Sequence, residues 1–176
     1  MNVREELFSA QDLKYKDFHK KLVPTVDEDK IIGVRLPQLR KIAKRLESNN
    51  FEWDYYEEIM LHGFYIGYEK MSYQARIRLL DAFIPYIDNW AVCDCVSSSL
   101  KFIEKNRNDF LEYLQKYMGS DKEYELRFAV VILMDYYITD EYIDFVLEFL
   151  SSVKSSYYYV NMAVAWALSV AFVKYQ

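Results

Sequence analysis

The chain has 176 residues, 52% hydrophobic and 28% charged, and a net charge of −5. That composition supports a single packed domain, 1–176, and excludes an intrinsically disordered chain. Four glycines and three prolines, against about 12 and about 9 at average usage, exclude the turn-rich sandwiches, barrels and glycine-rich nucleotide folds.

Segment 2–22 is amphipathic and predicts a helix. Residues 23–35, with Pro24, Asp27, Asp29 and Gly33, read as a turn-rich link. A helix over 36–48 starts with Pro37, which suits a first helical turn. It places Leu36, Leu39, Ile42, Ala43 and Leu46 on one face, with Arg40, Lys41, Lys44 and Arg45 beside them. Further helices are predicted over 53–68, 72–86, 88–104, 107–118, 121–137, 140–152 and 157–174. Asp88, Asp121 and Asp140 stand where N-caps would be useful. No segment shows sustained period-two alternation, so no strand is expected.

These helices fall into pairs: 53–68 with 72–86, 88–104 with 107–118, and 121–137 with 140–152. The first helices start at 53, 88, 121 and 157, intervals of 35, 33 and 36 residues. A period of this size marks stacked helical hairpins. The expected fold is therefore all-α: a right-handed, HEAT-like or ARM-like superhelix with a concave face. The more apolar helices, starting at 53, 88, 121 and 157, are the expected lining of that face. Helix 157–174 has no second helix, so the last repeat reads as incomplete. It is apolar nearly all round, which predicts burial on several sides, either by further chain or by a partner chain.

Composition also bounds the setting. The apolar stretch 160–173 has 14 residues, short of the roughly 20 that a membrane span needs. No secretion signal is evident at the start. Cys93 and Cys95 point to different sides of a helix, so two free thiols and a cytoplasmic location are expected. His19 and His62 lack partners at ligand spacing, so no metal and no cofactor are expected. Residues 1–50 carry 11 basic and 8 acidic side chains, whereas 51–176 carry 11 and 19. Affinity for an anion is thus expected in the first third or at local sites.

One constellation suggests chemistry. Trp90 and Asp94 are four residues apart, on one face of the helix in IDNWAVCDCVSSSLK. An indole face attracts cations, and a carboxylate stabilises developing positive charge. Arg127 and Trp166 lie on the corresponding helices of the next two hairpins, and side-by-side packing would turn all four toward one cleft. The same residues also read as core tryptophans and a plain inter-helix ion pair.

GVRLPQLRKIAK at 33–44, NWxxxD at 89–94, Arg127 before a small apolar run, and AWALS at 165–169 resemble the AlkD-like DNA alkylation repair family. The resemblance runs from about residue 5 to the end. It implies HEAT-like repeats and a monofunctional DNA glycosylase that removes cationic alkylpurines, such as 3-methyladenine and 7-methylguanine, from double-stranded DNA. By this resemblance Asp94 is the catalytic carboxylate. Trp90 and Trp166 contact the sugar and backbone of the lesion, and Arg127 supports the phosphate. Arg35, Arg40, Lys41, Lys44 and Arg45 are the further candidate DNA contacts, and a solvated helix face is the other reading of that run. The alternative function is a non-catalytic solenoid that binds nucleic acid or protein.

Overall fold

The computed structural model describes residues 2–175, and all regular structure among them is helical. Ten α-helices occur among these residues: α1 (Val3–Ser9), α2 (Leu13–His19), α3 (Leu36–Ala43), α4 (Tyr56–Tyr68), α5 (Tyr73–Phe83), α6 (Trp90–Ser97), α7 (Arg107–Met118), α8 (Glu123–Tyr136), α9 (Ile143–Ser152) and α10 (Tyr158–Lys174). The chain divides into two compact units, Met1–Ser99 and Leu100–Gln176, which are described in turn.

Several predicted helices are shorter than expected. Segment 2–22 breaks after Ser9, because the Asp12 side chain accepts the Tyr15 N–H and starts a new helix, α2. The second half of 88–104 is a 3-10 helix, Lys101–Lys105. Asn89, and not Asp88, caps α6 by accepting the Val92 N–H at 2.9 Å. Asp121 and Asp140 cap nothing either: Lys122 and Tyr142 occupy those N-cap positions without a side-chain bond.

In the first unit, α4 is the central element and packs against α3, α5 and α6. Gly63 makes this possible, since a Cβ there would meet the side chains of Val96 on α6 and Phe83 on α5. The stretch before α3 is held from below by Glu57, whose carboxylate is fully buried. Its Oε2 accepts the Ile32 N–H at 2.8 Å, and its Oε1 accepts those of Gly33 and Val34 at 2.6 and 3.1 Å. Gly33 has φ +99° and would place a Cβ 2.6 Å from Cβ of Lys16, so only glycine suits this turn.

His62 on α4 is also fully buried. Its ring lies between Phe51 and Trp53, with centroids 3.9 and 3.6 Å away. Nε2 is 3.1 Å from the Glu52 carbonyl and Nδ1 is 2.5 Å from the Asn49 side-chain amide. Burial lowers its pKa from the usual 6.5 to about 4, so the folded chain holds the ring neutral. Between those values the unfolded chain binds the proton more tightly, and stability falls as pH drops from 6.5 toward 4. At pH 5 this amounts to about 2 kcal/mol relative to pH 7. Urea titrations at the two pH values measure it, and in His62→Gln the loss should shrink by most of that amount. An undiminished loss in the variant would show that another group titrates.

In the second unit, α8 is the core helix. Every residue from Leu126 to Met134 is buried, so this stretch of α8 is enclosed by its neighbours. It packs against α7, α9 and α10. The strongest of these contacts uses small residues: Val160, Ala163, Ala167 and Ala171 form the buried stripe of α10. Alanine at this spacing lets the two backbones approach closely, as in ridge-into-groove packing. Only that stripe is buried. Tyr158, Met162, Trp166, Phe172 and Val173 are exposed, so the burial on several sides expected for 157–174 is absent among the described residues. No helix among them is long and apolar enough to cross a membrane.

The hairpin logic holds within each unit. Helix α4 pairs with α5 and α8 with α9, and the first helices of successive hairpins touch, α4 with α6 and α8 with α10.

Candidate functional site

Trp90 opens α6, directly after its Asn89 cap. The indole N–H donates to the Leu22 carbonyl at 2.8 Å, which ties the end of α2 to the start of α6 and fixes the ring plane. Asp94 sits one turn further along, partly exposed. Its neighbours differ in depth. Cys93 is fully buried, and the Cys95 thiol is pushed up to about 11 by burial, opposed by Arg40 and assisted by the Asp94 charge. The Cys95 thiol is not activated by this setting, since a reactive cysteine needs a lowered pKa. Trp90 and Asp94 are therefore the candidate functional side chains of α6.

Arg127 and Trp166 belong to the second unit. Arg127 is 5% exposed, and its guanidinium donates to the Tyr159 carbonyl. One turn earlier on α8, Glu123 accepts the Tyr159 N–H at 3.2 Å. Both backbone groups of Tyr159, in the first turn of α10, are thus gripped by an i, i+4 pair on α8. Trp166 lies two turns along α10 and is 47% exposed. At the other end of α10, Lys174 donates to the Ile138 carbonyl at 2.7 Å. Arg127 therefore anchors the helix that carries Trp166. Arg127→Met removes the grip and should cost about 2 kcal/mol, as for loss of a charged hydrogen-bond partner at a buried site. Chemical denaturation measures this, and a cost below about 0.5 kcal/mol would contradict the anchoring role.

The basic run of the first unit is largely engaged within the chain. Arg35 pairs with Asp12 at 2.9 Å and lies 4.9 Å from the Tyr15 ring centroid. Arg40 donates to the Tyr68 hydroxyl at 2.6 Å and covers the Phe64 ring. Arg45 pairs with Glu6. Lys44 lies over the Tyr68 ring with its residue exposed, and Lys41 is exposed. Among the described residues, no group of three or more His, Cys, Asp or Glu side chains is placed to hold a metal ion.

Sequence reasoning passed over the surroundings of Trp90. Tyr15 stacks on His19, both on α2, and His19 meets Tyr56 on α4 at a tilt of 53°, with centroids 5.1 Å apart at each step. All three line the same hollow as Trp90. The i, i+4 spacing of Tyr15 and His19 was a readable sign that they share a helix face. Tyr56 and Trp90 come from distant segments and gave no such sign.

No curated protein and no solved structure matches the chain. The family model described as DNA alkylation repair enzyme matches residues 3–171, and with this coverage the all-helical chain that carries Trp90 and Asp94 on α6 belongs to the DNA alkylation repair enzyme family.

Proposed function

We propose that the protein is a DNA N-glycosylase that removes cationic alkylpurines, of the 3-methyladenine and 7-methylguanine type, from double-stranded DNA in the cytoplasm. The observation that carries this reading is the pairing on α6: a partly exposed carboxylate, Asp94, one helical turn from an indole whose plane is fixed by its bond to Leu22. An N-alkylated purine already bears positive charge and departs without strong acid help. What the protein must supply is stabilisation of an oxocarbenium-like sugar and a placed water. One carboxylate serves both needs, and an indole face attracts the electron-poor sugar. Trp166, exposed on α10 of the second unit, is by the family resemblance a further aromatic candidate for contact with the nucleic acid. Arg127 serves it by anchoring α10, and Lys41 and Lys44 are the exposed cations of α3 for phosphate.

The test is release of 7-methylguanine and 3-methyladenine from methylated duplex DNA, with the free base measured directly. Release above the spontaneous rate is the expected result, and none from the intact protein would end this reading.

A second reading has its own observation in favour. Arg35 and Arg45 are tied into ion pairs with Asp12 and Glu6, and the chain is net −5, so two of the candidate phosphate contacts are engaged within a chain short of positive charge. A family member that binds nucleic acid or protein without excision fits that shortage. Binding to DNA across a salt series separates the two, because each neutralised phosphate adds close to one unit to the log–log slope. Binding without base release would support the second reading.

A further inference from the structure

Beside Trp90 the first unit contains a half-enclosed hollow of about 300 Å3, lined by α2, the start of α3, α4 and α6. That volume is at the lower end for small-molecule sites. Tyr15, Tyr56 and Trp90 give it aromatic walls, Leu36 stands in its lining at the first turn of α3, and none of its lining residues is acidic, Lys or Arg.

Its polar groups are few, and most are already used. The Trp90 N–H is bound to the Leu22 carbonyl. The Tyr15 hydroxyl lies 3.2 Å from Nδ1 of His19. The Cys95 thiol is held protonated by burial. Among the buried polar atoms of the lining the exception is on His19 itself. It is 6% exposed, and its Nε2 has no hydrogen-bond partner among the described residues. A buried polar atom left unpaired costs free energy, so a partner for Nε2 from outside the chain would be favoured. Burial also lowers the His19 pKa, which keeps the ring neutral. The neutral ring can offer Nε2 as a donor or as an acceptor, according to which way the proton shared with Tyr15 lies.

We infer that this hollow binds a neutral, flat heteroaromatic ring of nucleobase size, stacked on its aromatic walls and hydrogen-bonded through its edge to Nε2 of His19. A ring with no donor or acceptor on its edge, such as N-methylpyridinium, can stack on the same walls but cannot pair with Nε2 of His19, so it should be held less tightly. The inference does not require base excision, because it uses the Trp90 ring as a wall and makes no use of Asp94.

The ring has two sources, a free base or an unpaired base on a strand, and the experiment separates them. The full chain at pH 7.5 is titrated with adenine, with single-stranded oligodeoxyadenylate and with N-methylpyridinium as a permanently cationic ring. The NMR signals of the His19 ring are followed, assigned by their loss in His19→Phe. A saturable shift with adenine identifies a free-base site. A shift with the oligonucleotide alone identifies a base presented on a strand. In either case N-methylpyridinium should bind at least tenfold more weakly, and Leu36→Trp, which fills the hollow from a half-buried position, should weaken binding at least tenfold. No saturable shift with adenine or oligonucleotide overturns the inference, as does equal binding of the cation or unchanged binding in Leu36→Trp. A chain that releases no alkylated base yet shows these shifts would lose the glycosylase reading and keep this one.

Discussion

Replacing Glu57 with alanine is expected to lower stability by about 4 kcal/mol or more, a large share of the roughly 5–15 kcal/mol that holds a domain together. The carboxylate is fully buried and accepts three successive backbone N–H groups, from Ile32, Gly33 and Val34. Alanine leaves all three without an acceptor, and each such loss costs about 1–3 kcal/mol. The segment they belong to leads into α3 and contains the one positive-φ glycine, Gly33, so nothing nearby can turn to replace the missing oxygens. Glu57→Gln should cost less, because one oxygen remains to serve two of the donors while the amide NH2 faces the third. The pH dependence has a defined sign. Burial raises the Glu57 pKa above 4.5, and the three N–H donors only partly offset it. The folded chain therefore holds the proton more tightly, and this group's contribution is complete below 4.5 and declines as pH rises through the raised value. Urea unfolding at fixed pH measures the main effect, and hydrogen exchange at Ile32, Gly33 and Val34 locates it. A cost of less than 1 kcal/mol in Glu57→Ala would show that the loop stands without its carboxylate.

Glu57 also shows what a sequence leaves hidden. Its partners are backbone N–H groups 23 to 25 positions away, and every residue but proline offers such a group, so no residue pattern marks the pairing. Charge alone reads Glu57 as surface. By contrast the helices were legible, because apolar residues at three- and four-residue spacing report a buried face. Helix α7 falls on the predicted span, 107–118. The ends were less legible where two polar residues compete for a cap. Asp88 and Asn89 are adjacent, and only the backbone geometry of Asn89 lets its side chain reach the Val92 N–H. In the candidate site, Trp90 and Asp94 were readable because they are one turn apart on one helix. The buried state of Arg127 was not, since it depends on where Tyr159 places its carbonyl. Arg35 and Arg45 look like free cations in the sequence and meet Asp12 and Glu6 only through the fold.

Asp94→Asn should lower the rate of alkylpurine release about 100- to 1,000-fold, by analogy with loss of one preorganised electrostatic group. Asparagine keeps the shape of aspartate and removes its charge, so the loss falls on the step in which the sugar becomes positive. It should therefore appear in kcat with the affinity for intact methylated DNA little changed, the signature of an interaction made in the transition state. Fold stability is measured on the same samples by urea unfolding, so that a structural loss is separated from a loss of rate. An internal reporter confirms that the charge has gone. The Asp94 carboxylate helps hold the Cys95 thiol up near 11, after burial as the main cause, so that thiol's pKa should fall in the variant. Single-turnover release of 7-methylguanine from duplex DNA, with thiol titration on the same samples, measures both. A variant with a lowered thiol pKa and wild-type release would remove Asp94 from the chemistry. The rate loss with unchanged binding and stability would assign it to stabilisation of the cationic sugar, because a merely structural carboxylate affects stability, and a phosphate or base contact affects binding, before either affects kcat.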